Sequence, residues 1–218
     1  MHSIEWKIDT DTINYPDALK KMEQRVNDII SEEKNELIWL LEHPPIYTGG
    51  TSAQQSDLLT PERFPVYNTG RGGEFTYHGP GQRIAYVMLD LTKRQEQTNL
   101  RSYVTMLEQW VINSIAHFGI HGVTYKDRVG IWVKHSNGKE EKIAAIGIRV
   151  RKWITFHGIA LNISPNLEHF SGIVPCGISQ HGVTSFQKLG IKTTMAEIDE
   201  ILNREFIKQL DENGLFIQ

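Results

Sequence analysis

The stretch Gly130-Ile131-Trp132-Val133-Lys134-His135-Ser136-Asn137-Gly138-Lys139-Glu140-Glu141-Lys142-Ile143-Ala144-Ala145-Ile146-Gly147-Ile148-Arg149-Val150 reads as two strands and a turn. Branched and aromatic side chains fill 130–133 and 142–150, and Asn137-Gly138 between them is the pair that tight β-hairpins favour. A further strand is expected over 154–163. Upstream, 83–91 and 36–42 are apolar enough for strands, the second stopped by His43-Pro44-Pro45, because a proline restricts the residue before it. Helices lie between these groups. Residues 17–33 place Ala18, Leu19, Met22, Val26, Ile29 and Ile30 on one face, and 100–118 align Tyr103, Val104, Leu107, Val111, Ser114 and Ile115. A last helix opens at Thr194-Met195-Ala196-Glu197, a capping box. Helices segregated between groups of strands define an α+β protein. No periodicity is legible after Pro45, so a long loop is expected through Gly49-Gly50-Thr51. Without a repeat or linker, residues 1–218 read as one domain.

Composition narrows the class of function. The chain has 218 residues, 23 Lys plus Arg against 26 Asp plus Glu, and one cysteine. A chain of that length buries about 70% of its unfolded surface and needs no disulfide or structural metal. The missing basic excess argues against nucleic acid as main partner. Ile84-Ala85-Tyr86-Val87-Met88-Leu89 is among the longest apolar runs, far short of the ~20 residues that span a bilayer. The first nine residues carry no apolar signal core. A cytoplasmic protein without a membrane partner is the expectation.

Three features carry candidate chemistry, each with a plain alternative. Between Gly70 and Gly81 there are five glycines, interleaved with Arg71, Thr76 and His78. Such a run can approach a ligand closely or can simply be a long turn. It lacks the Gly-Lys-Ser/Thr ending and the helix-leading spacing of phosphate loops. Cys176 sits between Pro175 and Gly177, where a bent chain can present a thiol, although free cysteines commonly pack as small hydrophobes. A thiol of pKa ~8.5 needs a nearby cation or base to react at neutral pH. Lys142 opens a strand whose two-residue period would put it on the face of Ala144, Ile146, Ile148 and Val150. Desolvation there would lower its pKa toward general-base range. Its alternative is a solvated hairpin flank. The nine histidines offer no metal signature, since Gly119 interrupts the pair His117 and His121 and no His-Glu-x-x-His occurs. No metal site and no Gly-x-Ser-x-Gly nucleophile elbow is expected.

Taken in order, the runs are His43-Pro44-Pro45-Ile46-Tyr47-Thr48, Arg71-Gly72-Gly73 with Thr76-Tyr77-His78-Gly79-Pro80-Gly81-Gln82, and Tyr86 through Leu91. They continue with Gly130-Ile131-Trp132-Val133, Lys142-Ile143-Ala144-Ala145-Ile146-Gly147, Phe156-His157-Gly158-Ile159-Ala160-Leu161-Asn162 and Pro175-Cys176-Gly177. This ordered set, spanning nearly the whole chain, resembles the octanoyltransferase family called lipoate-protein ligase B. The resemblance implies the α+β catalytic domain shared by biotin and lipoate ligases, with a mixed or antiparallel sheet flanked by helices.

It also implies a reaction: transfer of an octanoyl group from octanoyl-acyl carrier protein to a lysine of a lipoyl domain. The acceptors would be lipoyl domains of 2-oxoacid dehydrogenase complexes and the glycine cleavage H protein. Carried over by position, Cys176 would hold the acyl group as a thioester, and Lys142 would lower the thiol pKa and shuttle protons. Arg71, Gly72, Gly73, Glu74, Phe75, Thr76, Tyr77 and His78 would line the acyl site, with Ala145, Ile146 and Gly147 and with Gly158, Ile159 and Ala160. No cofactor is implied, because a thioester donor is already activated. Related activities remain open at this point: an ATP-dependent lipoate ligase, an amidotransferase between lipoyl domains, or a non-catalytic acyl-carrier-binding scaffold. Arg149, Arg151 and Lys152 form a basic cluster that could meet an acidic partner or could be an ordinary strand end.

Overall fold

Leu37, Trp39 and Leu41 alternate along the chain with Ile38 and Leu40, so one short strand feeds two separate cores. This is the organising feature of the computed structural model, which describes residues 4–94, 99–174 and 182–212. The strands are β1 (Glu5–Thr12), β2 (Leu37–Glu42), β3 (Ile46–Gly49), β4 (Val66–Asn68), β5 (Phe75–His78), β6 (Gln82–Met88), β7 (Gly122–Tyr125), β8 (Arg128–Lys134), β9 (Glu140–Arg151), β10 (Ile154–Asn162) and β11 (Gly182–Val183). The helices are α1 (Tyr15–Ile30), α2 (Leu100–Ala116) and α3 (Met195–Glu212).

Among the described residues the main sheet runs β1-β2-β6-β10-β9-β8-β7, with β11 added alongside β9. β1 lies parallel to β2, with α1 as the crossover, and β11 is parallel to β9; the remaining pairs are antiparallel, giving a mixed sheet. On one face α2 and α3 cover Ile38, Leu40, Ala85, Val87, Ile131, Ile159 and Leu161. On the other, α1 covers Leu37, Trp39, Ile84, Tyr86, Met88 and Phe156. A small sheet, β4-β3-β5, folds over this second side around Tyr47, Phe75, Tyr77 and Phe170.

The hairpin forms between β8 and β9, closed by His135 N–H donating to Lys139 O at 2.8 Å, with Gly138 at φ +82°. Thr194 and Glu197 make the capping box reciprocally: Thr194 N–H donates to Glu197 Oε2 at 2.7 Å and Glu197 N–H to Thr194 Oγ1 at 3.2 Å. The long loop after Pro45 is not featureless, since Ile46–Gly49 is a buried strand. Phe75–His78, inside the glycine-rich run, is likewise a strand rather than a turn. β1 was absent from the sequence reading because its exposed, charged alternation carries no apolar run.

Candidate active site

Arg71 organises the glycine-rich segment from inside. Its Nη2 donates to Thr48 O at 2.7 Å, Thr48 Oγ1 at 2.8 Å and Glu74 O at 3.0 Å, and Nη1 donates to Gly72 O at 3.0 Å. A planar guanidinium can gather several carbonyls in one plane, which a lysine cannot. Gly72 N–H donates to Ile148 O at 2.9 Å, fastening the loop onto β9. Gly73 takes φ +88°, a conformation glycine adopts without penalty.

Next along β5, His78 is locked into one tautomer. The Gln82 amide nitrogen donates to Asn162 Oδ1 at 2.9 Å and to Tyr77 O at 3.2 Å, so its oxygen faces His78 as an acceptor. His78 Nδ1–H therefore donates to Gln82 Oε1 at 2.7 Å, and Nε2 accepts the Thr48 hydroxyl at 3.2 Å. Asn162 Nδ2 passes the chain on to Thr184 O at 3.0 Å. Burial, with His43 close by, pushes the His78 imidazole down to about 3, so it is neutral. His43 donates from Nδ1 to Ile13 O and accepts the Tyr86 hydroxyl at Nε2, 2.6 Å away; burial lowers it to about 4. His157, at φ +61°, is lowered to about 3, first by burial and then by Arg71 and Arg149.

These elements enclose a cavity of about 330 Å³. Arg71, Gly73, Glu74, Phe75, Thr76 and His78 form one wall, Ala145, Ile146 and Gly147 a second, and Gly158, Ile159 and Ala160 a third. Lys142 lies at one end, with Thr76, Ala145, Ala160, Asn162 and Val183 close around it. From Lys142 to Gly147 the strand covers roughly 16 Å at about 3.3 Å per residue, enough for an extended medium-length chain. Gly72 and Tyr77 belong elsewhere. Gly72 pins the loop, and Tyr77 packs into the small-sheet core with its hydroxyl 2.8 Å from His169 Nδ1. Glycine at 158 answers to the sheet as much as to the cavity, since a Cβ there would lie 2.2 Å from Ala85 O on β6.

Lys142 is 6% exposed, but not on the face its alternation implied. Ile131 pairs with Ala144 and Trp132 with Lys142, so β9 carries one extra residue, a bulge at Ile143. The bulge moves Lys142 off the face of Ala144, Ile146 and Ile148, which pack toward α2 and α3, and onto that of Trp132. Its ammonium stands 4.7 Å from the Trp132 ring centre and donates to Val129 O at 2.9 Å. Two carboxyl groups act on it electrostatically, Glu74 and Glu108, both raised chiefly by burial.

Cys176 lies in 175–181, outside the described residues. The chain on either side is tied down: Val174 N–H donates to Asp57 O at 2.8 Å, and β11 pairs Val183 with Lys142. Sequence reasoning missed Tyr15, Tyr86, His157 and the rim residues Asp127, Arg128 and Val129. Tyr86 and His157 had a signal, each standing in a run that carries the family resemblance; the others had none. The basic cluster sits at the far end of β9, with Arg149 5.2 Å from the Phe156 ring centre and Arg151 donating to Asn27 and Glu23 of α1. Among the described residues no cluster of three or more His, Asp or Glu is arranged to hold a metal ion, and no helix is long and apolar enough to cross a membrane.

The architecture is that of protein ligases that attach lipoate and biotin. It matches the bipartite lipoate protein ligase of the Thermoplasma acidophilum lipoylation system with a TM-score of 0.69 at 14% identity, over 96% of this chain and 85% of that one. The biotin protein ligase of Aquifex aeolicus matches with a TM-score of 0.52 at 11% identity, over 98% and 70% of the two chains. Residues 14–207 match the model of the lipoyl protein ligase A/B catalytic domain, and the chain belongs to that family, on its lipoate-protein ligase B side. It is 55% identical to the octanoyltransferase of Bartonella tribocorum over 94% of this chain and 86% of the relative. With the octanoyltransferase of Paramagnetospirillum magneticum it shares 55% identity, over 94% and 96% of the two lengths.

Proposed function

We propose that this protein is an octanoyltransferase of protein lipoylation, with octanoyl-acyl carrier protein as donor and a lysine of a lipoyl domain as acceptor. The observation that carries the reading is the cavity. The glycine-rich segment at 71–78 meets the paired strands at 145–147 and 158–160 on one largely apolar channel, and the channel ends at a buried lysine. Burial of each methylene is worth about 0.8 kcal/mol, so the channel rewards an acyl chain over a polar ligand.

In the first half-reaction the Cys176 thiolate attacks the donor thioester carbonyl. The bond from that carbon to the pantetheine sulfur breaks, and the Lys142 ammonium gives its proton to the departing thiolate. In the second, the lysine amine of the acceptor attacks the Cys176 thioester and loses a proton to neutral Lys142. The amide forms, the carbon–sulfur bond to Cys176 breaks, and the thiolate returns beside a protonated Lys142. Burial lowers His43, His78 and His157 far below the ordinary imidazole range, which makes them weak proton acceptors in this exchange.

Mixing the protein with octanoyl-acyl carrier protein and an unmodified lipoyl domain, without ATP, tests the reading by the mass of the domain. An octanoyl increment supports it. An increment that appears only with free octanoate and ATP would make the protein a ligase. One that appears only from an already octanoylated domain would make it an amidotransferase.

A further inference from the structure

Lys142 donates to a peptide unit that is itself held by a carboxylate. The ammonium donates to Val129 O at 2.9 Å, while the N–H of the same peptide, that of Gly130, donates to Glu108 Oε1 at 3.2 Å. Glu108 reaches it from α2. Gly130 is required at this junction: it takes φ +120°, and a Cβ would stand 2.7 Å from Ala144 O and 3.3 Å from Lys142 Nζ. Hydrogen bonds in series polarise one another in a low-dielectric setting. A carboxylate on the N–H side therefore adds negative charge to the carbonyl oxygen that receives the ammonium.

We propose that Glu108 is a positioning residue that acts on Lys142 through the Val129–Gly130 peptide, fixing the ammonium in place and setting the pH at which it releases its proton. The proposal rests on the reading of Lys142 as the proton carrier of the transfer. Other charged groups face Lys142 but are engaged differently. Glu74, before β5, has Oε2 buried without a hydrogen-bond partner among the described residues. Arg128, on the cavity rim with Asp127, is paired to Glu140. Glu141, the neighbour of Lys142 in β9, is engaged by Lys139 at 2.7 Å, Lys188 at 3.0 Å and His135 at 3.1 Å. Burial raises the Glu108 carboxyl above its ordinary value, against the smaller opposing pull of the Gly130 N–H and the Lys142 charge.

The sign follows directly. A carboxylate beyond the peptide favours the charged form of Lys142, so removing that charge lets the lysine deprotonate at lower pH. Glu108→Gln is the informative variant, because its amide oxygen still accepts the Gly130 N–H but carries no charge. The protein is reductively methylated with ¹³C, the Lys142 resonance is assigned by its loss in Lys142→Arg, and its titration is followed by NMR without substrate. The expected result is a Lys142 midpoint lower by about half a pH unit or more in E108Q, with the melting temperature unchanged. Glu108→Asp, which keeps the charge on a shorter arm, should move it less. The pH profile of the amide-forming half-reaction should shift to lower pH in parallel. A Lys142 midpoint that is the same in wild type and E108Q overturns the proposal; if E108Q does not fold, a midpoint unshifted in Glu108→Ala, which also removes the charge, overturns it. Wild-type protein that transfers no octanoyl group would sink the functional reading while leaving the titration readable, so the two failures are distinct.

Discussion

Lys142 stands with its ammonium 4.7 Å from the ring centre of Trp132, the residue directly opposite it on the neighbouring strand. That pairing exists because β9 carries an extra residue just after Lys142, which turns the lysine away from the α2–α3 core. A lysine can be buried if its charge meets an aromatic face and a carbonyl oxygen, and both are supplied here.

The roles given to Lys142 separate experimentally. Lys142→Arg keeps a cation but cannot release its proton at neutral pH, so it should lose the amide-forming step by about 10²–10⁴-fold and slow acyl-enzyme formation less, since a thiolate can depart before it is protonated. Lys142→Met should lose both steps. Rapid quench of each half-reaction checks this, and an unimpaired amide-forming step in K142R would contradict the proton-carrier role.

Gly147 borders the cavity beside Arg71. A Cβ there would stand 3.0 Å from Arg71 Cδ and 3.1 Å from Gly72 O, so a larger side chain must displace the loop or intrude on the channel. Gly147→Val should reduce octanoyl transfer more than butanoyl transfer, each lost methylene contact costing about 0.8 kcal/mol. Specificity ratios, kcat/KM for C8 over C4 thioesters, check this; an unchanged ratio would place the chain elsewhere.

Removing the Arg71 side chain leaves the carbonyls of Thr48, Gly72 and Glu74 without this donor. Hydrogen bonds from a charged donor are worth about 1.5–3 kcal/mol each, though not additively. Arg71→Ala should lower stability by about 3 kcal/mol or more in urea unfolding. Arg71→Lys should recover little, because a lysine lacks the planar fork.

Acid should loosen the fold through its buried histidines before most carboxylates are protonated. His43, His78 and His157 are lowered in the folded protein to about 4, 3 and 3, while the unfolded chain takes up protons near the ordinary value of 6.5. Their stabilisation is complete above pH 6.5 and is lost progressively as pH falls toward the folded values, by about 1.4 kcal/mol per pH unit for each histidine. Asp199, raised to about 6 by burial, works the opposite way as its neutral form is favoured. Unfolding midpoints should decline from pH 6.5 to pH 5, and His78→Gln should flatten that decline. A flat wild-type profile would contradict the buried neutral histidines.

The sequence disclosed the elements whose apolar period is strong and whose ends carry caps or turn residues: α1, α2, α3, β2 and the β8–β9 hairpin. β3 and β5 were hidden because they are four residues each and surrounded by proline and glycine. Lys142 was legible as a buried lysine, but its face was not. A bulge depends on how two strands register, which the alternation of one strand cannot reveal. The walls of the cavity were traced by the family resemblance. Tyr15 and the rim at 127–129 escaped notice because the fold brings them together from elements with other duties. Glu108 stands in no motif, and only the fold sets its carboxylate oxygen on the Gly130 N–H.

The account turns on one covalent species, an octanoyl thioester on Cys176. Intact mass after mixing the protein with octanoyl-acyl carrier protein, without ATP and without an acceptor, tests it directly. The predicted result is one octanoyl increment, mapped by peptide mass to Cys176, removed by neutral hydroxylamine and absent from Cys176→Ala. An unmodified mass under conditions where the lipoyl domain is octanoylated, or an increment that persists in Cys176→Ala, would contradict it.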